Sequence, residues 1–215
     1  MNLEFSEEQK FVQKTARDYL AEHAPLSACR AVLESEKPYD SALWKGVAEM
    51  GWLGTAIPEA YGGAGLGHLE LVLIAQEIGR TLAPIPFSSS VYLASEALLQ
   101  AGSETQKQKY LPKLASGEWI GTFALAEGLG DFDPASVTKT SFDAGRVSGV
   151  KLPVADGAAA NFAVVVAKEG SGCSLVLVDL DSEGVSRSAL ASFDPSRPLA
   201  RLVLEGARAE RLGPA

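Results

Sequence analysis

Two glycine-rich stretches are the first places in this chain where residue type and spacing could do chemistry. Ile57-Pro58-Glu59-Ala60-Tyr61-Gly62-Gly63-Ala64-Gly65-Leu66-Gly67 precedes an apolar segment, and glycines ahead of a helix can turn backbone N–H groups toward an anion. The dinucleotide spacing fails, because no strand signal precedes the loop and His68 stands where a third glycine is needed after Gly63 and Gly65. Gly128-Leu129-Gly130 fails alike, with Asp133 in that position. The first stretch therefore reads as a tight loop that docks one helix on another. The two histidines, His23 and His68, fall on different predicted helices, without the cysteine or carboxylate spacing of a metal site. They read as surface or helix-end residues. Cys29 and Cys173 lack partner spacing and read as free thiols of a reducing compartment.

The elements that must position any site divide into two textures. A chain of 215 residues suits two modest domains. Its 47% hydrophobic and 21% charged content is enough for packed cores. A net charge of -8 disfavours nucleic acid, which needs a concentrated positive footprint. Met1 to Lys10 is acidic and polar, unlike a secretory or transit segment. Apolar runs such as Phe162 to Ala167 are too short to cross a bilayer. The expectation is a cytoplasmic protein with no membrane span.

Helices dominate the first half. Ser6 with Gln9 predicts a capping box, followed by Val12, Ala16, Tyr19 and Leu20 on one face, and Pro25 closes the segment. A second helix from Asp40 or Ser41 is expected to bury Leu43, Val47 and Met50 and to stop at Gly51. His68 to Arg80, with Leu69, Val72, Leu73, Ala75 and Ile78, predicts a central, largely buried helix. Another helix turns Val91, Ala94 and Leu98 inward. Ser103 to Gln106 repeats the capping pattern for a short helix to about Leu111, restarted by Pro112 and stopped by Gly117.

After Trp119 the texture changes to short Val-, Leu- and Phe-rich segments between Gly, Ser, Asp and Pro clusters. Candidate strands are 119–126, 137–142, 146–150, 162–167, 174–179 and 200–205. Strands without intervening helices predict an antiparallel β-domain. The fold class is thus α+β, with an all-helical domain over 1–118 and a β-domain over 119–215.

Seven short motifs in fixed order carry a resemblance. They are Phe5-Ser6-Glu7-Glu8-Gln9; Glu49-Met50-Gly51-Trp52-Leu53-Gly54; Ile57-Pro58-Glu59 with Tyr61-Gly62-Gly63; Glu77-Ile78-Gly79-Arg80; Ala101-Gly102-Ser103-Glu104; Tyr110-Leu111-Pro112-Lys113-Leu114; and Ala124-Leu125-Ala126-Glu127. In this order the chain resembles the acyl-CoA dehydrogenase family from its first residue to its last. The resemblance implies a barrel-like β-domain covering one side of FAD, which takes a hydride from the β-carbon of an acyl-CoA while a glutamate removes the α-proton. It also implies that the glutamate belongs to a C-terminal helical domain, so no residue of this sequence is assigned as the base. Glu127 lies in a matching motif whose family counterpart is not that base.

Carried over position by position, the cofactor-binding residues are Phe123, Leu125, Ala126, Phe132, Pro153 and Ala155. The first flavin signature usually has a threonine before its glutamate, where this chain has Ala126. Asp131 and Phe132 replace its glycine and serine, while Asp133 is retained. The second keeps Gly149 and Lys151 but has Pro153 for the tryptophan that flanks the flavin, and Ala155 for the hydroxyl residue near its reactive nitrogen. Three lost hydroxyls amount to about 1.5–4.5 kcal/mol, and the ring to roughly 0.5–1.5 kcal/mol. Together they weaken FAD binding by roughly thirty-fold to twenty-thousand-fold. Backbone contacts through Phe123, Leu125 and Ala126 do not depend on these side chains.

Three readings stay open. The first is an FAD-dependent acyl-CoA dehydrogenase of acyl-CoA catabolism, seen without its C-terminal domain and acting with an electron-acceptor flavoprotein. The second is a non-catalytic partner subunit with a degraded flavin site, assembled as a homo- or hetero-oligomer with another dehydrogenase-like chain. The third is an oxidase or monooxygenase on the same fold.

Overall fold

A computed structural model describes residues 4–128, 133 and 139–213. Helices fill the chain to residue 115 and strands follow from residue 121. Two compact units result: Met1–Ile85 with Ala115–Gly117, and Pro86–Leu114 with Glu118–Ala215. Among the described residues no helix is long and apolar enough to cross a membrane.

In the first unit, α1 (Glu7–His23), α2 (Leu26–Leu33), α3 (Ser41–Glu49) and α4 (His68–Arg80) surround a small core. The predicted capping box on α1 is present: Gln9 N–H donates to Ser6 Oγ at 3.2 Å, and Ser6 N–H to Gln9 Oε1 at 2.9 Å. Ala16 and Leu20 bury fully, with Val12 and Tyr19 half-buried beside them. Pro25 follows the end of α1 at His23, as expected. It sits at the N-cap of α2, where its fixed φ and missing N–H suit a helix start.

Two burial expectations are corrected. Met50 is 39% exposed, because α3 ends at Glu49 and Gly51 then turns left-handed at φ 74°. Leu69 and Val72 on α4 are 46% and 52% exposed, while Leu71, Leu73, Ile74 and Ile78 form the inward face. Apolarity all round a helix does not prove burial all round. Glu77 on α4 is 1% exposed and held by Arg17 Nη2 and Arg80 Nε, both at 2.7 Å. The hydrogen bond from Arg17, backed by Arg80, holds its carboxyl below the usual range against burial.

The loop from Ile57 to Gly67 is packed against the segment before it. Gly63 N–H donates to Pro58 O, Ala64 N–H to Gly54 O, Gly65 N–H to Ile57 O and Leu66 N–H to Thr55 O. A Cβ on Gly63 would lie 2.0 Å from Ile57 O, so only glycine permits this approach. Those amides are committed inside the protein, as the tight-loop reading requires.

The second unit begins with a π-helical segment, Ser88–Ala94, running directly into α5 (Ser95–Ala101). Val91, Ala94 and Leu98 face inward as expected. The next helix, α6 (Glu104–Ala115), is one continuous helix that passes through Pro112, where two pieces were expected. Among the described residues seven strands follow: β1 (Gly121–Ala124), β2 (Ser141–Asp143), β3 (Arg146–Ala155), β4 (Phe162–Glu169), β5 (Gly172–Asp179), β6 (Val185–Leu190) and β7 (Leu199–Arg211). Pairings β4–β2, β2–β3, β3–β7, β7–β5 and β5–β4 return to their start, which gives the expected barrel-like closure. The antiparallel expectation holds for most of the ladder, but β1 and β2 pair with β4 in parallel. β1 attaches outside the circuit to β4, and β6 to β7.

Gln106 ties the last strand to α6. Its Oε1 accepts from Ser103 N–H and Gly213 N–H, each at 3.0 Å, and its Nε2 donates to Glu210 Oε1 at 2.6 Å and Arg211 O at 2.8 Å. All four hydrogen-bonding positions of the amide are used, in a residue only 3% exposed. Gln106→Leu keeps the bulk and removes all four. It should destabilise the chain by about 2–4 kcal/mol in urea unfolding. A loss under about 0.5 kcal/mol would mean these bonds hold nothing.

Candidate functional site

The positions expected to face a flavin come from two segments of the β-unit, the end of β1 and the second half of β3. Along β1 and the two residues after it, Thr122, Ala124 and Ala126 are buried while Phe123 and Leu125 are half-buried, so alternation presents the latter two on the outer face. On β3, Val154 is fully buried between half-buried Pro153 and Ala155. A register shift between Lys151 and Val154 opens the β3–β7 ladder there. It lets Lys151 and Val154 both point inward although they are three residues apart.

Four contacts tie the two segments together. Thr122 Oγ1 donates to Ala155 O at 2.6 Å, and Leu152 N–H to Ala126 O at 2.9 Å. Lys151 Nζ donates to Leu125 O at 2.8 Å and meets Glu127 Oε1 at 3.2 Å. Lys151 is fully buried, and the Glu127 side chain is 9% exposed. Glu127 also accepts from Lys139 N–H at 2.9 Å and Thr140 N–H at 2.7 Å. Burial resists its ionisation, but the Thr140 hydroxyl, these two amides and the Lys151 charge outweigh that and hold its pKa at about 2. Burial pushes Lys151 down, opposed by Glu127. Sequence reading marked both residues as family matches without seeing that they pair. A lysine between Val150 and Leu152 in an inward register was the available signal, since a buried ammonium requires a partner.

A second polar pair was missed. Asp156 is 9% exposed at φ 53°, and its Oδ2 accepts from Ser89 Oγ at 2.6 Å. Burial raises its carboxyl pKa, with the serine bond opposing.

Of the six expected cofactor residues, Phe123, Leu125, Ala126, Pro153 and Ala155 fall on these two joined segments, and Phe132 lies outside the described residues. What they offer a flat ring is mixed. The half-buried apolar face suits one, and the N–H groups of Leu125 and Ala126 stand beyond the last β1–β4 pair, Ala124↔Val165. The Leu125 and Ala126 carbonyls are committed to Lys151 and Leu152. Ala126, Pro153 and Ala155 bring no side-chain donor. The fit is therefore to shape and backbone.

The ion pair makes a checkable statement about acid stability. A carboxyl whose folded pKa is depressed adds stability above its ordinary value of 4.5, and that stability is lost as pH falls toward 2. Glu127→Gln should lose about 3–5 kcal/mol at neutral pH, because Lys151 is left buried and unpaired. It should also flatten the acid limb over that window in a urea-midpoint series. An unchanged acid limb would mean that Glu127 is not ionised in the folded state.

Comparison with known proteins gives this geometry a family. The model of the acyl-CoA dehydrogenase N-terminal domain matches residues 6–118. Mitochondrial isovaleryl-CoA dehydrogenase of Pongo abelii is 35% identical over 168 residues, covering 76% of this chain and 40% of that protein. Among solved structures, the ChsE4-ChsE5 complex from Mycobacterium tuberculosis superposes with a TM-score of 0.88 at 28% identity, over 99% of this chain and 58% of that one. An acyl-CoA dehydrogenase from Bacillus anthracis complexed with FAD does so with a TM-score of 0.88 at 30% identity, over 98% and 38%. The chain thus spans about 40% of the isovaleryl-CoA relative's length. With its helical first half matched throughout and its closed β-unit shared with these structures, this chain belongs to the acyl-CoA dehydrogenase family.

Proposed function

We propose that the chain serves α,β-dehydrogenation of an acyl-CoA thioester and that its β-unit forms one wall of an FAD site. The observation that carries this reading is the join between Leu125-Ala126 and Lys151-Leu152, which brings half-buried Phe123, Leu125, Pro153 and Ala155 onto two adjoining segments. When bound, FAD supplies the redox chemistry and receives the hydride. Phe123 and Leu125 would pack against the ring, the main chain at Leu125 and Ala126 would meet its polar edge, and Pro153 and Ala155 would close the side where an aromatic plate and a hydroxyl usually stand. Lys151 and Glu127 are positioning residues that act through the β1 backbone. The α-proton would be removed by a base outside these residues, and an acceptor flavoprotein would take the electrons. A boundary between helical and β domains at residue 118 belongs to the same proposal.

A second reading is favoured by a specific observation. Ala126, Pro153 and Ala155 bring no side-chain donor, which suits a subunit that works beside a more complete dehydrogenase-like chain. The ChsE4-ChsE5 structure is itself a complex of two differently named chains.

Restoring the missing groups distinguishes the two. Ala126→Thr and Ala155→Ser should each tighten FAD binding by about two- to twelve-fold, read by quenching of flavin fluorescence. Affinity unchanged in both variants would place the flavin elsewhere. Absence of FAD binding in every variant, with activity appearing only after a second dehydrogenase-like chain is added, would favour the partner reading.

A further inference from the structure

The β-unit holds a second concave site at the end of the barrel where the β2–β3 turn lies. Along one edge, β7 pairs with β6 from Leu199 to Leu204 and with β5 from Ala209 to Arg211. Between these ladders lies the stretch 205–208, where β7 changes partner. On its other edge the register against β3 shifts between Val147 and Gly149. The gap is an open concavity of about 610 Å³, lined by exposed Arg146, Glu183, Glu205 and Arg208 with half-buried Ser182 and Gly184. Gly184 lets the loop come close, since a Cβ there would sit 2.7 Å from Glu205 O.

Two features of this cavity point to a ligand. Arg146 and Arg208 are direct cross-strand partners, so two guanidinium groups project from one face of the sheet, an arrangement that is unfavourable without a counter-charge. No ion pair to either arginine is found among the described residues, although Glu183 and Glu205 line the same space. Arg146 is already oriented, its Nη1 donating to Gly206 O at 2.7 Å. The volume matches that of small-molecule sites.

We infer that this cavity binds a hydroxyl-bearing phosphomonoester, a sugar phosphate or mononucleotide in size. The phosphoryl group lies between Arg146 and Arg208, where guanidinium forks match its oxygens. Glu183 and Glu205 accept hydrogen bonds from the hydroxyls, and they disfavour ligands that are anionic throughout. This site is independent of the flavin reading, because its residues lie at the opposite end of β3 from Pro153 and Ala155.

Calorimetric titration of the chain with ribose 5-phosphate tests the inference, with ribose as the uncharged control. Saturable binding is expected for the phosphate and none for ribose. Arg208→Gln should weaken it about ten-fold or more, while Arg201→Gln, on the same strand outside the cavity, leaves it unchanged. Without ligand, Arg208→Gln should melt at or above the wild-type temperature, because a like-charge contact is relieved; a structural role for Arg208 would lower it. Equal binding by wild type and Arg208→Gln would overturn the site, as would no saturable binding at millimolar phosphate ester or a lowered unliganded midpoint. FAD affinity should not change in Arg208→Gln, so failure here and failure of the flavin reading are told apart.

Discussion

A full positive charge at zero exposure is the constraint around which the β-unit is arranged. The Lys151 ammonium cannot stay in the interior without hydrogen-bond partners, and Leu125 O and the Glu127 carboxylate take two of its three donors. That pairing draws the end of β1 onto β3, fixes Leu152 N–H on Ala126 O and anchors Lys139 and Thr140 through the Glu127 carboxylate. One buried ion pair therefore sets the register of two segments that sequence separates by 24 residues. The surface proposed to face the flavin is a consequence of that register. Its shape survives in this chain although Ala126, Pro153 and Ala155 lack the polar side chains usual at those positions.

Local chemistry was legible in the sequence wherever one turn of backbone holds both partners. Ser6 with Gln9 and Ser103 with Gln106 are capping patterns three residues long, and both form. The left-handed stop at Gly51 needs only its own φ. The tight loop was legible for the same reason, since Gly63 allows an approach to Ile57 that no other residue could make.

Long-range features were not legible, for separate physical reasons. Periodicity finds apolar faces without saying which neighbour covers them, so it does not mark Leu69 and Val72 as exposed, which they are. Parallel pairing of β1 with β4 joins Gly121 to Phe162 across 41 residues and leaves no local mark. β6 carries Ser186, Arg187 and Ser188 and is largely exposed, so it lacks the alternation by which strands are recognised. The partners of Gln106 at Glu210, Arg211 and Gly213 lie more than a hundred residues away. Of the candidate site, residue positions came from the family resemblance, and the bonds that join them came only from the fold.

The central claim, that Lys151 fastens β1 to β3, is tested most directly by residue-resolved amide hydrogen exchange on Lys151→Met. Removing the ammonium should speed exchange at Leu152, Lys139 and Thr140 by about 100-fold or more, as the segments open locally, while the α1 and α4 amides keep their protection. Wild-type protection at Leu152 and Thr140 in that variant would contradict the account, because it would show the two segments held together without the buried charge.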